Sequence, residues 1–402
     1  MLKVATFGFD EARACVIETV SGARLPPVVE RVHLLEAMGR VLAEDILADR
    51  DFPATARSVR DGFAVRAADL PGRLRVTGEV RAGEAFEDAV GAGEAVEIMT
   101  GAPMPAGADA VVMVEHVTRD GEWIETDRRL ESGENFNPAG VEARTGDVVI
   151  PRGAPIGYAE IAMAASVGRV ELPVYVRPHV SILATGDELV DIRATPRPWQ
   201  VRNSNSYSLA AQVAACGAIP HVLPVAPDEY EATRELVMRG LEHDMLLISG
   251  GVSAGKYDLV ETVLGDIGAE FFFDRVRMQP GQPVVFGRVN GTFFFGLPGN
   301  PLSGMVTFET LARAAVELLG GRATTMLPLL RARLARDLNQ RTGLTRFVPS
   351  CLSVDGGTVT PAGSHGSGDI PAAVRANVWM VTDADRDHYD AGELVRVMRR
   401  TV

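Results

Sequence analysis

Four short segments rich in glycine, aspartate or proline are the places where this sequence could do chemistry. Each follows an apolar run that has the length of a buried strand, and together they are Thr185–Glu188, Pro227–Asp228, Ser249–Gly255 and Gly296–Pro301. In an open α/β sheet, ligands bind beyond the carboxyl ends of the strands. The four segments are therefore predicted to converge on one crevice that binds a polar ligand.

The Ser249–Gly255 segment has the composition of an anion-binding turn. Its glycines let the backbone approach a ligand closely, and the helix predicted after it presents free N–H groups and a positive dipole end. The segment matches neither GxxxxGK[ST] nor GxGxxG, so it is not a standard nucleotide-binding signature. A phosphate-binding turn and an ordinary tight turn between strand and helix both remain open.

The same segment contains the pattern GxSxG, which at a strand–turn–helix junction is typical of the α/β-hydrolase nucleophile. Ser253 would then be the nucleophile, with His388 as the base and Asp369 or Asp383 as the acid. The chain lacks an HGGG-type oxyanion segment, and a glycine-flanked serine can equally donate a hydrogen bond to a phosphate. A serine hydrolase is therefore the minor alternative.

Two carboxylates, Asp228 and Asp258, stand beside this segment in the predicted crevice. Such a pair next to a phosphate would hold Mg²⁺, which prefers one or two protein oxygens together with phosphate and water. Spacing alone favours helix capping, because Asp228 begins a capping-box pattern and Asp258 falls in the first turn of the next predicted helix. Glu188, in the first segment, has no comparable capping pattern.

Length and composition limit the class of protein. The chain has 402 residues, enough for two to four domains of about 150 residues, and a net charge of −13. That charge argues against nucleic acid and anionic membranes as partners, and no apolar run approaches the ~18 residues of a membrane span. The three cysteines and seven histidines lack metal-binding spacing, so zinc chemistry is not expected. Charged residues interrupt the N-terminus, which predicts a cytoplasmic protein without a signal peptide.

Apolar periodicity predicts how the first half of the chain is built. Helical spacing over residues 10–45 predicts a helix in two pieces, broken at a Leu-Pro-Pro, and residues 157–167 are predicted to be helical again. Between them, residues 50–145 alternate in short strands separated by Gly/Pro turns. A small β domain inserted into a helical region is therefore expected.

From His179 onward, strands alternate with helices of about a dozen residues, which predicts a mostly parallel sheet covered on both faces. One strand is expected over Phe271–Arg277. A long helix is expected to begin at Pro301, because proline suits the first helical position. Beyond Ala323 strands return with no clear helix. The sequence thus predicts a multidomain α/β protein.

Nine segments together resemble the molybdopterin molybdenumtransferases, the family of bacterial MoeA and the gephyrin E domain. The resemblance runs from about residue 10 to the C-terminus. It rests on SVRDGFAV (58–65), IMTGAPMP (98–105), GADAVVMVE (107–115), ATGDEL (184–189), Asn-Ser-Asn (203–205), ISGGVSAGKYD (248–258), PGQP (280–283), GLPGNP (296–301) and SHGSGDI (364–370).

The resemblance implies a subunit of four parts. These are an elongated helical linker domain, an inserted β domain, a three-layer α/β domain with a mostly parallel sheet that binds molybdopterin, and a C-terminal β-barrel-like domain. Their expected boundaries are residues 1–48 with 146–176, 49–145, 177–323 and 324–402. The resemblance also implies a homodimer whose active site lies between the α/β domain of one subunit and the inserted β domain of the other.

The activity implied by the resemblance is molybdenum insertion. Molybdate and adenylylated molybdopterin would be the substrates, and the adenylate would be hydrolysed with Mg²⁺. Transient contact with a molybdopterin adenylyltransferase is also expected. Matching motifs give as catalytic residues Asp61, Thr100, Glu142, Glu188, Asp228 and Asp258. Of these, Asp228 and Asp258 would hold the divalent ion. The residues expected to bind the substrate or shape its pocket are Ser249, Gly250, Gly251, Ser253, Pro298 and Pro301.

Two segments depart from the family pattern. A Gly-Glu-Asp segment of the family reads here Gly-Val-Glu, which ends in Glu142. Lysines that often flank the PGxP turn are here Gln279 and Gln282, so weaker binding of molybdate is expected unless Arg275 and Arg277 compensate. The resemblance leaves open tungstate in place of molybdate, and a divergent paralogue.

Three other functions compete with molybdenum insertion. A molybdopterin adenylyltransferase would need only the α/β domain, so the long N-terminal part argues against it. A scaffold or binding-only protein is disfavoured because no fused domain or disordered linker is evident in the sequence. The serine hydrolase is the third.

Overall fold

The structure, a computed structural model, describes residues 6–23, 27–251 and 259–400. They begin with β1 (Thr6–Gly8) and α1 (Phe9–Gly22). The buried residues of α1 recur at helical spacing. The start of the helix is capped by Glu11, whose carboxylate accepts a hydrogen bond from Gly8 N at 3.0 Å. The first predicted helix is therefore confirmed.

The second helical piece predicted within 10–45 is wrong. That stretch contains β2 (Val29–His33), which pairs antiparallel with Glu171–Tyr175. Val29 and Val32 are β-branched and suit a strand. The partner strand lies far away in the sequence, so local periodicity gave no sign of the pairing.

The next part of the chain is built from short strands. In chain order they are β3 (Ile46–Leu47), β4 (Arg57–Ser58), β5 (Gly62–Val65), β6 (Gly72–Val80), β7 (Glu94–Ile98), β8 (Ala110–Met113), β9 (Thr118–Asp120), β10 (Trp123–Thr126) and β11 (Phe136–Asn137). Six of them form one sheet in the order β8-β5-β7-β6-β10-β9. Apolar residues pack on both of its faces, as at Phe63 and its neighbour Ala64. The strand alternation predicted for this stretch is confirmed.

The chain then returns to its first part through β12 (Val148–Ile150), α2 (Tyr158–Ser166) and β13 (Glu171–Tyr175). β12 pairs with β3, and β13 pairs with β2. Leu42 and Ile46 share a buried cluster with Ile150, Leu172 and Val174. Two stretches separated by the inserted strands therefore share one core, and the helix predicted at 157–167 is confirmed.

An α/β region follows. Its elements are β14 (His179–Ala184), β15 (Leu189–Val190), β16 (Val201–Arg202), α3 (Asn205–Ala215), β17 (Ile219–Val222), α4 (Tyr230–Gly240), β18 (Met245–Ser249), α5 (Leu259–Asp266), β19 (Glu270–Phe273), β20 (Arg275–Gln279), β21 (Val285–Val289), β22 (Thr292–Leu297), α6 (Pro301–Thr307) and α7 (Arg313–Leu319). A π-helical turn, Phe308–Ala312, joins α6 to α7. The long helix predicted from Pro301 is thus one run with an internal irregularity.

The main sheet of this region has the order β17-β14-β18-β22-β21-β19. β17, β14, β18 and β22 are mutually parallel, and β21 runs antiparallel to both β22 and β19. On one face Ile182 packs with residues of α3, α6 and α7, whereas on the other Leu183 packs with residues of α4 and α5. The predicted three-layer arrangement with a mostly parallel sheet is confirmed.

The single strand predicted over Phe271–Arg277 is wrong. The chain turns at Asp274, so that β19 ends in the main sheet and β20 joins a different one. There β20 lies between β1 and Thr345–Leu352, and it runs parallel to both. A continuous run of strand-forming residues does not reveal that its two halves pair in different sheets.

The last part of the chain contains β23 (Leu329–Leu334), β24 (Leu338–Asn339), β25 (Thr345–Leu352), β26 (Thr358–Pro361), α8 (Ile370–Arg375), β27 (Val378–Thr382), β28 (His388–Tyr389) and β29 (Leu394–Arg399). Five strands close into a barrel in the order β25-β26-β23-β29-β27, because β27 also pairs with β25. The expectation of no clear helix here is wrong, since α8 is present and Asp369 caps it by accepting from Ala372 N at 3.0 Å. Among the described residues, no helix is long and apolar enough to cross a membrane.

Candidate active site

A crevice of about 940 Å³ lies beyond the carboxyl ends of β14, β17, β18 and β22. All four segments singled out in the sequence contribute to its lining. The contributing residues are Thr185, Gly186, Glu188, Asp228, Ser249, Gly250, Gly251, Pro298, Gly299, Asn300 and Pro301. The predicted convergence is therefore confirmed, and it follows from the parallel direction of the four strands.

Backbone hydrogen bonds between the loops hold the crevice in shape. Thr185 N donates to the carbonyl of Ser249 at 3.1 Å, and Gly186 N donates to the carbonyl of Ala226 at 3.3 Å. Gly250 N donates to the carbonyl of Leu297 at 3.1 Å. The four loops are thus joined to each other by main-chain bonds.

Asn205, at the start of α3, links two of these loops through its side chain. Its Nδ2 donates to Ser249 Oγ at 2.8 Å and to the carbonyl of Gly299 at 2.7 Å. Its Oδ1 is buried and has no hydrogen-bond partner among the described residues. The sequence marked the Asn-Ser-Asn segment only as part of a family resemblance. The segment lies between a polar loop and the start of α3, and this position could have predicted that it lines the crevice.

Two glycines of the crevice occupy backbone conformations that other residues rarely adopt. Gly250 has a φ of +94°, and a Cβ there would lie 2.8 Å from the carbonyl oxygen of Thr185. Gly251 has a φ of +65°, and a Cβ there would lie 2.7 Å from a methyl group of Val260. The two glycines are therefore required by the close approach of the β18 loop to its neighbours.

Glu188 and Asp228 are exposed carboxylates on the lining of the crevice. The capping explanation for Asp228 is wrong, because the N-cap residue of α4 is Glu229. The backbone N–H of Asp228 donates to Asp187 Oδ1 at 3.1 Å, which fixes the start of this loop. The Asp228 carboxylate is thus held at the crevice without serving as a helix cap.

A second cavity of about 610 Å³ adjoins the crevice, and Pro283, Pro298 and Asn300 line both. It lies between the PGQP turn, the start of α6 and the barrel. Its polar side chains are those of Gln279, Gln282, Asn300, Ser303, Arg346, Ser364 and Ser367. Leu302 N donates to the carbonyl of Ser367 at 2.9 Å, which ties the start of α6 to the barrel loop.

Asp61 and Thr100 meet on a different surface, formed by two loops of the inserted strands. Thr100 N donates to Asp61 Oδ1 at 2.7 Å, and hydrogen bonds from the backbone and side chain of Thr100 hold the pKa of Asp61 below its usual range. Main-chain bonds join the loops, with Gly101 N donating to the carbonyl of Ser58 at 2.8 Å. We call this the Asp61–Thr100 surface.

Three family profiles match this chain. The MoeA N-terminal region (domain I and II) matches residues 8–168, the probable molybdopterin binding domain matches 181–318, and the MoeA C-terminal region (domain IV) matches 331–399. The molybdopterin molybdenumtransferase of Staphylococcus aureus strain COL is 32% identical over 377 residues, which cover 91% of this chain and 90% of that protein. The molybdopterin molybdenumtransferase of Staphylococcus epidermidis has the same identity and coverage.

This chain belongs to the molybdopterin molybdenumtransferase family. It is a transferase. Solved structures agree, since two structures of a molybdopterin biosynthesis MoeA protein from Pyrococcus horikoshii cover 98% of this chain. The first match has a TM-score of 0.81 and 26% identity and covers 100% of the solved chain. The second has a TM-score of 0.72 and 29% identity and covers 99% of the solved chain. The resemblance inferred from nine segments is confirmed.

Apart from Glu142, the site residues that the family resemblance implied fall into three groups. Glu188, Asp228, Ser249, Gly250, Gly251, Pro298 and Pro301 line the crevice. Asp61 and Thr100 form the surface described above. Ser253 and Asp258 lie outside the described residues.

Glu142 belongs to none of these groups. It is exposed and lines a separate cavity of about 620 Å³ with Phe52, Asp147 and Met163. Its backbone N–H donates to the carbonyl of Phe52 at 2.9 Å. Its equivalence to the family aspartate remains a prediction.

Arg346 is a candidate that the sequence reasoning missed. It lines the second cavity together with Gln279 and Gln282, whereas Arg275 and Arg277 are exposed on β20 and are not among the described residues that line it. Arg346 Nε is buried without a hydrogen-bond partner, while one terminal nitrogen donates to the carbonyl of Arg341 at 3.1 Å. Burial, and then the charge of Arg341, lower the pKa of Arg346, although a guanidinium stays protonated in proteins.

The candidate acid and base of a serine hydrolase have other partners. Asp369 caps α8, and Asp383 pairs with Arg396. His388 bonds Asn339 Oδ1 at 2.7 Å and Asp390 Oδ1 at 3.1 Å. The hydrogen bonds of these residues therefore give no support to a catalytic triad.

Proposed function

We propose that this enzyme inserts molybdenum from molybdate into molybdopterin that is delivered as the adenylylated form, and that it hydrolyses the adenylate. The observation that carries the proposal is the convergence of four Gly-, Asp- and Pro-rich loops on one crevice that adjoins a second polar cavity. A crevice of about 940 Å³ is large enough for a pterin nucleotide, by the usual range of ligand pockets. Membership of the family supports the choice of substrate.

The β18 loop is the part of the crevice suited to the phosphate groups. Gly250 and Gly251 carry no side chains, so a ligand phosphate can approach their backbone closely. Ser249 Oγ already accepts from Asn205, and its own proton is free to be donated to a phosphate oxygen. We assign Ser249, Gly250 and Gly251, with Ser253 by family resemblance, to binding of the pterin phosphate or the adenylate.

Mg²⁺ fits the carboxylates of this crevice. Asp228 offers an exposed carboxylate that no helix uses as a cap, and hard oxygen ligands of this kind suit Mg²⁺. We propose that Asp228 holds the ion together with Asp258, and that Glu188 contributes to the polarity of the site. When bound, the ion would offset negative charge on the phosphate oxygens.

The second cavity is suited to molybdate. It adjoins the crevice, and Arg346 places a guanidinium there with an unpartnered donor. A charged donor of this kind binds an oxyanion more strongly than a neutral amide does. We propose that Arg346 supplies the positive charge that Gln279 and Gln282 lack.

The Asp61–Thr100 surface supplies no residue to the described lining of the crevice. We propose that it completes the crevice of a second subunit in a homodimer, because two half-sites related by a twofold axis give two whole sites. Transient contact with a molybdopterin adenylyltransferase would deliver the adenylylated substrate.

The test is incubation of the purified protein with adenylylated molybdopterin, Mg²⁺ and increasing molybdate, with AMP release as the measurement. We expect release of AMP that depends on molybdate. Tight binding of the pterin nucleotide without AMP release would favour the binding-only alternative. Failure to bind it at all would contradict the proposal.

A further inference from the structure

Three histidines that share no sequence motif meet at the amino end of the parallel sheet. His179 begins β14, His221 lies in β17, and His243 precedes β18. His179 lies six positions before Thr185 at the crevice, a distance on the order of 20 Å at ~3.3 Å per residue. Within the part of the chain that the structure describes, this is the group of side chains suited to hold a metal ion through three or more ligands.

The three imidazole rings are close and nearly parallel. The centroids of His221 and His243 are 4.1 Å apart, and those of His179 and His221 are 4.9 Å apart. His179 Nδ1 and His221 Nε2 share a hydrogen bond of 2.7 Å. One nitrogen from each ring lies within 4.8 Å of the other two.

The backbone and a buried hydroxyl hold these histidines in place. His179 N donates to Asp244 Oδ2 at 2.7 Å, and Asp244 N donates back to the carbonyl of His179 at 3.0 Å, so the loop that carries His243 is fixed to the start of β14. Ser181 is fully buried, and its Oγ lies 2.6 Å from His243 Nδ1. A histidine whose Nδ1 is engaged in this way presents Nε2 to a ligand, the arrangement found at metal sites.

The spacing of the nitrogens fits a small divalent ion after a modest adjustment. Zn–N bonds are about 2.0–2.1 Å, so nitrogens in a tetrahedral site are about 3.3 Å apart. The nitrogens of the His179–His221 pair are 2.7 Å apart because they share a hydrogen bond, so the ion would replace the shared proton and the two nitrogens would separate by about 0.6 Å. Turning the rings about the Cβ–Cγ bonds would bring the third nitrogen in from 4.8 Å or less. Each ring is half-buried, which leaves room for a water molecule as the fourth ligand.

The chemistry of the ligands selects the kind of metal. Three neutral imidazoles suit Zn²⁺ and neighbouring divalent ions such as Co²⁺ and Ni²⁺, whereas Mg²⁺ prefers oxygen ligands.

We propose that His179, His221 and His243 form a binding site for one divalent transition-metal ion of the Zn²⁺ class, separate from the crevice and oriented by Ser181. The bound ion joins β14, β17 and the loop before β18. The site is independent of the proposed function. Histidines that are scattered in the sequence meet here in space, so their spacing along the chain does not exclude a zinc site.

The test uses full-length protein stripped of metal with a chelator and titrated with Co²⁺, followed by competition with Zn²⁺. We expect one Co²⁺ per chain, with the intense visible absorption of a four-coordinate ion that Zn²⁺ abolishes. His221→Ala should weaken binding by at least ~100-fold, and Ser181→Ala by ~10-fold or more, since partners that orient a ligand contribute 10–100-fold.

His116→Ala is the matched control, because His116 is also half-buried but lies in the turn between β8 and β9, outside the α/β region. Its affinity for Co²⁺ should match that of the unaltered chain. Asp228→Asn should keep the visible absorption of the four-coordinate Co²⁺, which separates the site from the crevice. His243→Ala, outside the strands, repeats the measurement if circular dichroism shows that His221→Ala is misfolded. Absence of stoichiometric binding would overturn the proposal. So would an affinity of the His221→Ala and His243→Ala variants equal to that of the unaltered chain.

Discussion

The crevice of the α/β region and the Asp61–Thr100 surface are built by the same means but differ in shape. In both, main-chain hydrogen bonds join polar loops, as between Thr185 and Ser249 and between Gly101 and Ser58. The crevice loops surround a cavity, whereas Asp61 and its loop are exposed. Within the described residues, the loops of the Asp61–Thr100 surface enclose no cavity of their own, so they would take part in catalysis only where a second surface packs against them. The two regions are therefore predicted to be halves of one site.

The largest effect is expected from Asp228→Asn. If the crevice half holds a divalent ion, loss of this carboxylate should lower molybdate-dependent AMP release roughly a thousandfold, because a metal ion contributes several kcal/mol of charge stabilisation. Glu229→Gln is the control, since Glu229 is the adjacent carboxylate but makes no side-chain cap. Full turnover in the Asp228→Asn variant would show that the crevice carboxylate is not a ligand.

Mixing variants of the two halves tests whether they meet. Asp61→Ala and Asp228→Asn homodimers should each be inactive. In a shared-site homodimer, a mixed dimer has one site with both changes and one with neither. Random exchange makes about half the dimers mixed, so AMP release should recover to roughly a quarter of the unaltered level. Heterodimers that form without any recovery would show that each site lies within one chain.

The rigidity of the crevice half is tested by Gly250→Ala. The Cβ would clash with the carbonyl oxygen of Thr185 at a positive φ, so we expect a loss of about 1–3 kcal/mol of unfolding free energy together with lower turnover. Gly265→Ala, on the exposed side of α5 with nothing within 4 Å of its Cβ, should stabilise by up to ~1 kcal/mol. Denaturant unfolding of both variants measures the difference, and equal stabilities would contradict the close approach of the loops.

A smaller effect is expected from Arg346→Gln in the cavity beside the crevice. Hydrogen bonds to charged groups contribute about 1.5–3 kcal/mol, so the molybdate concentration for half-maximal AMP release should rise at least ~10-fold. Arg275→Gln and Arg277→Gln are the controls, because both arginines are exposed on β20. If the molybdate concentration for half-maximal AMP release rose in the two control variants but not in Arg346→Gln, the oxyanion would be assigned to the arginines of β20 instead.

The smallest effect is expected from restoring lysines at the PGQP turn. Gln279→Lys with Gln282→Lys adds positive charge to the same cavity and should lower the molybdate requirement several-fold, because charge-assisted hydrogen bonds are the stronger kind. An unchanged or higher requirement would mean that the turn does not contact the oxyanion. Steady-state AMP release at a range of molybdate concentrations measures both cases.

Sequence reasoning was most successful where geometry follows from strand direction. Parallel strands end at one edge, so the loops after β14, β17, β18 and β22 had to converge, and Asp228 could be placed among them. It failed for β2 and β20, whose partners are distant in the sequence. It also missed Arg346 and the three histidines, because residues from separate elements meet there without any fixed spacing.

The path of β20 has a consequence for how the enzyme could be divided. β20 leaves the main sheet between β19 and β21 and pairs with β1 and β25. A chain cut after residue 323 would keep β20 but lose β25, which leaves the end of β20, at Met278 and Gln279, without its partner strand. Such an edge invites pairing between molecules, so the shortened protein should precipitate. The barrel is thus joined to the rest of the fold by strand pairing through β20, and we do not expect it to be exchangeable as an independent domain.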